Sequence, residues 1–307
     1  MRLINTRTQV LEEFEPTTAP PYAILSHTWT DHEEIRHQDL STERITGKDA
    51  GYAKVDNGCR IALAKGYDYM WIDTCCIDKT NNVELSEAVN SMFYWYKKAG
   101  ICLAYLADVP SDMGPSDKDS LFPRSRWLTR GWTLKELLAP SEVIFLAENW
   151  TEIGSRTELV SEVSTVTGVP EGYLLGKDPG DASVAMRFSW AADRRTTKPE
   201  DIAYCLLGIF DIQMSLLYGE REAGAFRRLQ QKIIKTSDDH SIFAWKTREG
   251  HDSPEIDNVR RNFTLLAPEV HRLIYSNPHI TSTQQKLQWF QATLTVSVRL
   301  PCSTKKD

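Results

Sequence analysis

Residues 69–106 read YMWIDTCCIDKTNNVELSEAVNSMFYWYKKAGICLAYL. Both ends are short, unbroken apolar runs, YMWI (69–72) and ICLAYL (101–106), of the length of buried strands. Between them Leu85, Ala88, Val89, Met92, Phe93 and Tyr96 recur at i, i+3, i+4 and i+7, the stripe of one helix face. Asn81 or Asn82 stands where it can cap that helix, and Gly100 ends it. Strands that are apolar throughout are buried on both faces, as in a parallel sheet crossed over by helices.

The same grammar extends outward. Upstream, YAILS (22–26) is a further apolar run after Pro20 and Pro21. Residues 52–65 place Val55, Cys59 and Ala62 on one helix face, with Gly66 as the stop. Downstream, residues 110–120 are rich in Pro, Ser, Asp and Gly and read as a loop. A short helix around Trp132–Leu138 ends at Pro140, and VIFL (143–146) is a fourth strand. Strand and helix in alternation predict an α/β fold, a parallel sheet flanked by helices on both faces. Ligands of such sheets bind outside the carboxyl ends of the strands. That edge receives Ser26, His27 and Trp29, then Asp73 to Cys76, then the loop after Leu106.

Beyond about residue 155 the pattern turns helical. Thr197, Pro199 and Glu200 read as a capping box opening a helix over Asp201–Phe210. Phe226, Leu229 and Ile233 lie at helical spacing within 222–235, and residues 293–300 alternate like a strand with no obvious partner. Three regions are expected: a sheet core over 1–155, a helical extension packed on it over 156–250, and over 251–307 the start of a further β-containing region, cut from a longer protein.

Bulk properties narrow the function. The 307 residues are 41% hydrophobic and 25% charged, which suits a packed globular chain. A net charge of −6 argues against nucleic acid as a partner. No apolar run approaches the length of a membrane span, and the first residues lack the apolar core of a signal peptide. Six cysteines (Cys59, Cys75, Cys76, Cys102, Cys205, Cys302) form no CxxC pair. A reduced, cytoplasmic protein is expected. His32, His37, Glu33 and Glu34 lack metal-ligand spacing, and Gly47-Lys48-Asp49 is no phosphate-binding loop, so neither a metal nor a resident cofactor is expected.

YAILSHTW (22–29), WIDTCCIDK (71–79) with ELSEAVNSMFYWY (84–96), and RGWTLKELLAPSEVIF (130–145) resemble the three blocks of the fungal heterokaryon incompatibility (HET) domain. SVAMRFSWAADRRTTKPEDIAYCLLGIFDIQMSLLYGE (183–220), AFRRLQQKIIKTSDDHSIFAW (225–245) and FTLLAPEV (263–270) resemble the extension of one HET subfamily. The resemblance implies a vegetative incompatibility effector that triggers programmed cell death and signals beside a nucleotide-binding recognition protein. HET domains are in turn distantly similar to TIR domains, which implies a TIR-like (flavodoxin-like) sheet. Trp132, Glu136 and Leu137 match the tryptophan–x–x–x–glutamate–leucine segment of NAD-cleaving TIR domains. Glu136 is thereby implied as the catalytic residue of an NAD+ glycohydrolase that acts as a homo-oligomer.

Cleavage of nicotinamide from ribose passes through an oxocarbenium-like cation, and the leaving group is already cationic. One carboxylate beside the ribose suffices to stabilise that charge. The bland reading of Glu136 is a solvated helix glutamate beside a core tryptophan, Trp132, whose face it shares. Asp73 is either a ribose contact or a cap for the following turn. Ser26 suits a phosphate or ribose and Trp29 a stacked base or nicotinamide ring, with His27 beside them as a third candidate contact; the plainer reading is a Trp29 packed inward and a His27 whose hydrogen bonds are satisfied within the fold. Cys76, with His27, invites a thiol mechanism, yet no basic neighbour is in view to make a thiolate. Arg130, nearest in sequence to Glu136, can grip a pyrophosphate or simply sit on a mixed-charge surface. An alternative to catalysis is a death-signalling adaptor that works by homotypic domain contacts.

Overall fold

The chain opens with two short strands, β1 (Arg2–Asn5) and β2 (Leu11–Glu13). The four apolar runs follow as β3 (Ala23–His27), β4 (Tyr69–Ile72), β5 (Ile101–Tyr105) and β6 (Val143–Leu146), and then comes β7 (Glu152–Ser155). The computed structural model describes residues 1–30, 33–40, 49–247 and 273–275. In it these strands form one sheet in the order β2-β1-β4-β3-β5-β6-β7. The centre is parallel, as expected: β3 pairs with β4 and β5, and β5 with β6. All residues of β3, β5 and β6 are buried, which is why no alternation marks them.

Both edges depart from the all-parallel expectation. β1 pairs antiparallel with β4 and β2, and β7 pairs antiparallel with β6. Edge strands need to bury only part of one face, so β1 offers just Leu3 and Ile4 to the core and β7 offers no apolar run at all. Taken alone, the parallel strands lie in the order second, first, third, fourth. The winding therefore reverses between β3 and β5, and the crevice outside their carboxyl ends is the topological switch point.

Among the described residues the sheet is accompanied by the α-helices α1 (Asp49–Ala64), α2 (Asp73–Cys76), α3 (Asn82–Lys98), α4 (Arg126–Thr129) and α5 (Thr133–Leu138). Asn81 caps α3, accepting from the backbone N–H of Val83 at 3.0 Å and of Glu84 at 3.3 Å. Ala88, Val89, Met92 and Tyr96 are buried along the stripe read from the sequence.

The extension holds α6 (Val160–Thr167), α7 (Glu171–Leu174), α8 (Val184–Ser189), α9 (Asp201–Tyr204) and α10 (Arg221–Thr236). It docks on the sheet domain at several places, two of which are fixed by paired hydrogen bonds. At one, the Asn90 side chain of α3 donates to Met214 O at 3.1 Å and accepts from Met214 N at 2.9 Å. At the other, Gly131 N donates to Arg195 O at 2.9 Å, and Arg195 N to Thr129 O at 2.8 Å.

The helix expected over 201–210 is one α-turn followed by a 3₁₀ turn, Leu207–Ile209. Its capping box does not form. Thr197 Oγ1 instead accepts from Arg130 Nη1 at 3.0 Å, and the Glu200 carboxylate accepts from Gly219 N and Arg221 N at 2.8 and 3.0 Å, at the entry to α10. Tertiary partners have outbid the local cap. At the far end β8 (Trp245–Thr247) pairs antiparallel with β9 (Leu273–Tyr275). The strand read at 293–300, the FTLLAPEV block, His32, the Gly47-Lys48 pair and Cys302 lie outside the described residues. Among the described residues no helix is long and apolar enough to cross a membrane.

Candidate functional site

Strand β3 delivers Ser26 to the switch point with no exposed surface. Its hydroxyl donates to Glu136 Oε2, and accepts the indole N–H of Trp127 at 2.7 Å. Three side chains from β3, α4 and α5 thus form one directed chain, Trp127 to Ser26 to Glu136. All six residues of α5 are buried, because the sheet lies on one side and the extension on the other. Glu136 keeps 8% of its surface exposed. Burial pushes its carboxyl up to about 7, and nearby Asp73 adds to this; the Ser26 hydrogen bond, Lys135 and His27 pull the other way. The glutamate is therefore not a solvated helix residue, and no cation lies within ion-pair distance of it among the described residues.

The loop after β3 is braced by charge. His27 Nε2 lies 3.2 Å from Glu34, and Lys54 from α1 pairs with the same carboxylate while reaching Thr28 O at 3.4 Å. Burial would raise the Glu34 carboxyl, yet His27 and Lys54 hold it at about 2. Asp73 opens α2 and accepts the indole N–H of Trp29 at 3.3 Å. Lys79 pairs with Asp73 at 3.3 Å and places its ammonium 3.7 Å from the centre of the Trp29 ring. Trp29 remains 42% exposed. Beside this group a cleft of about 300 Å³ runs between Trp29 and Arg36 on one side and Thr74, Ile77 and Lys79 on the other. Ser26 and Glu136 do not line it.

The remaining residues singled out in the sequence go elsewhere. Cys76 is the buried last residue of α2, its Sγ accepting from Ile72 N at 3.3 Å, and burial raises its thiol well above the ordinary range. Burial likewise takes Cys75 to about 12, so neither supplies a thiolate. Trp132 does not accompany Glu136: its indole N–H turns to Asp201 of the extension at 3.1 Å. Arg130 bonds Thr197 and stands on the same seam.

The profile of the heterokaryon incompatibility protein (HET) family matches residues 22–121, and that of a domain of unknown function (DUF8212) matches residues 224–297. The vegetative incompatibility protein HET-E-1 of Podospora anserina is 44% identical over 247 residues, which takes in 78% of this chain and 18% of the relative. The chain belongs to the HET family. It spans less than a fifth of that relative's length. No solved structure matches it.

The matched HET segment contains Ser26, His27, Trp29, Asp73 and Cys76 but ends before Trp127 and Glu136. Two of the three members of the hydrogen-bonded chain thus lie outside it. Pattern reading missed Trp127, Glu34, Lys54, Lys79 and Lys135. Trp127 was hidden because a buried donor tryptophan and a packing tryptophan look alike in sequence. Lys135 had a legible signal: a charged pair set among Leu134, Leu137 and Leu138 in a helix too short to turn one face to water.

Proposed function

We propose that this chain is a vegetative incompatibility effector that works in the cytoplasm and triggers cell death by hydrolysing NAD+ at the nicotinamide–ribose bond. The observation that carries this reading is the buried Glu136 carboxyl hydrogen-bonded to Ser26 at the switch point of the sheet. When the glycosidic bond breaks, its electron pair leaves with nicotinamide and the ribose carbon becomes cationic. The Glu136 carboxylate stabilises that cation from its buried, water-poor position, where charge interactions are strong. Ser26, itself held by Trp127, fixes which oxygen faces the sugar. Water then adds to the carbon and loses a proton, giving ADP-ribose. The exposed Trp29 ring and the Lys79 and Arg36 cations of the adjoining cleft suit the rest of the nucleotide. Self-association is part of the proposal, with the trigger coming from a nucleotide-binding recognition partner.

The test is nicotinamide release from NAD+ by concentrated protein and by a forced dimer. Wild type is expected to be active and Glu136→Ala to lose at least about 100-fold, the scale of removing one aimed stabilising group. Because the anion is the working form, kcat/KM should rise as pH climbs through about 7 and level off above it. Absence of release in every assembled state overturns the enzymatic reading. One observation favours the adaptor reading: the cleft is not lined by Glu136. That reading expects Glu136→Ala to kill cells as wild type does, with NAD+ undiminished.

A further inference from the structure

We propose that Arg194 of the helical extension is a positioning residue for Glu136, acting through a chain of hydrogen bonds by way of Thr133, Trp127 and Ser26 that fixes which carboxyl oxygen faces the substrate. This deepens the NAD+-cleaving reading and rests on it for its functional meaning, though not for its test.

Each link is a direct contact. Buried Arg194 donates through Nη1 to Arg130 O at 2.8 Å and to Thr133 Oγ1 at 3.0 Å. The Thr133 hydroxyl has two acceptors in reach, Trp127 O and, at 2.9 Å, Arg130 O, but only one proton to give. Because Arg194 already serves Arg130 O, that proton is released to Trp127 O. On its other side the Trp127 backbone N–H donates to Ser125 Oγ at 3.3 Å, so the tryptophan backbone is held from both ends. Its indole packs T-shaped against Phe145, ring centres 5.7 Å apart, and the indole N–H meets Ser26 Oγ at 2.7 Å. Ser26 then donates to Glu136 Oε2.

Guanidinium and indole nitrogens only donate, and a hydroxyl carries a single proton. Thr133 and Ser26 each accept from a donor-only group, so each passes its own proton onward. The chain therefore has one direction and ends on Oε2, an acceptor whether Glu136 is charged or neutral. A proton taken up by the carboxyl goes to Oε1, and Oε1 is the oxygen that faces the sugar. Without the Trp127 N–H the reverse becomes possible, with Oε2 taking the proton and donating to Ser26. Ser26 and Trp127 have no exposed surface, so water does not stand in for the lost donor. Arg194 is otherwise a poor clamp for the seam between the two halves. Its Nε donates to Trp190 O at 3.3 Å, its Nη2 has no partner among the described residues, and no carboxylate there lies within ion-pair distance. A seam that only needed packing would be served better by an apolar side chain.

The test reads the infrared carbonyl stretch of protonated Glu136 at about pH 6, assigned by its loss in Glu136→Gln; burial holds this carboxyl at about 7, so it keeps its proton where ordinary carboxyls do not. A carbonyl that accepts a hydrogen bond absorbs at lower frequency than a free one. Wild type is expected at the bonded position and Ser26→Ala at the free one, with Trp127→Phe moved toward it. Arg194→Met sends the Thr133 proton back to Arg130 O, loosens Trp127 and should raise the band as well, while Arg194→Lys, which keeps a donor for Arg130 O, should restore it toward wild type. Thr133→Val breaks the same link without touching a charge. The groups that face Glu136, namely His27 from β3, Asp73 from α2, Tyr96 from α3, Cys102 from β5, Lys135 from α5 and Arg194, are all retained in it, so a moved band there reports the hydrogen bond alone. In nicotinamide release kcat should fall about tenfold in Trp127→Phe and about threefold in Thr133→Val, with KM unchanged. Should Arg194→Met not fold, Thr133→Val decides. A Thr133→Val band at the wild-type position means the extension merely packs against the site, and the proposal is overturned. If no form releases nicotinamide yet the bands move as expected, the positioning chain stands and the enzymatic reading fails.

Discussion

Glu136 is buried and Glu34 half-buried about one sheet edge, and their surroundings drive the two carboxyls apart. Glu34 is ringed by His27 and Lys54, so it contributes stability that is present above its ordinary value of 4.5 and is lost as pH falls toward about 2. Glu136 behaves oppositely. Its folded-state value, about 7, lies above the unfolded 4.5, so the native state holds the proton more tightly and stability declines as pH rises between the two. The full decline is about 3 kcal/mol. Glutamine at 136 keeps an acceptor for the Ser26 hydroxyl and cannot ionise. Glu136→Gln should therefore gain stability on wild type as pH goes from 4 to 8, by about 3 kcal/mol, or on the order of 5 °C in Tm. Denaturant melts at the two pH values check this. A difference that stays flat with pH would mean that Glu136 ionises as freely as in water, and the site would lose its water-poor character. A residue that weakens the fold when charged is what an active carboxylate looks like, since packing alone would not retain it.

The short helix α5 is where the two halves of the molecule meet, and Gly131 sets its entry. A Cβ there would lie 2.5 Å from Thr196 Cγ2 and 3.2 Å from Cys205 Sγ. Gly131→Ala is expected to force the seam apart, costing about 1–3 kcal/mol, and to loosen the Ser26–Glu136 bond with it. The check is paired: Tm falls, and backbone amides of Gly131 and Arg195 exchange faster. Unchanged exchange at Arg195 would show that the seam does not depend on this close approach. Such contacts also explain which elements were legible in the sequence. The central strands and α3 announce themselves because burial on two faces, or on one helical stripe, writes a run or a period into the residues. β1, β2 and β7 escape because an edge strand needs few apolar residues. Ser26 and Glu136 could be placed at the strand edge and on the helix, but not against each other, and nothing in a 3.6-residue period says that Trp132 turns away to Asp201 while Glu136 turns to Ser26. Arg130 follows Trp132 for the same reason: Thr197 and Asp201 belong to the extension, and only the fold brings them near.

At the scale of the whole molecule the extension is part of the candidate site's wall. Arg194 reaches from it to Arg130 O and Thr133 Oγ1 at the start of α5, Asp201 holds Trp132 over Lys135, and Gly208 abuts Phe93 of α3 so closely that a Cβ would lie 2.0 Å from that ring's own Cβ. Cutting the chain at residue 155 would open all of these contacts to water. It would uncover Lys135 and Trp132, remove the Arg156 guanidinium that donates to Leu137 O of α5, and leave a six-residue helix with no second face to pack on. A fragment of residues 1–155 is therefore expected to lose cooperative unfolding and to expose apolar surface, whereas residues 1–247 should melt in a single transition seen alike by near- and far-ultraviolet circular dichroism. Dye binding and the sharpness of the near-ultraviolet melt distinguish the two fragments. A two-state melt of residues 1–155 with a retained Trp127 environment would show that the sheet domain holds Glu136 in place unaided, and the extension would then be a passenger rather than a wall of the site.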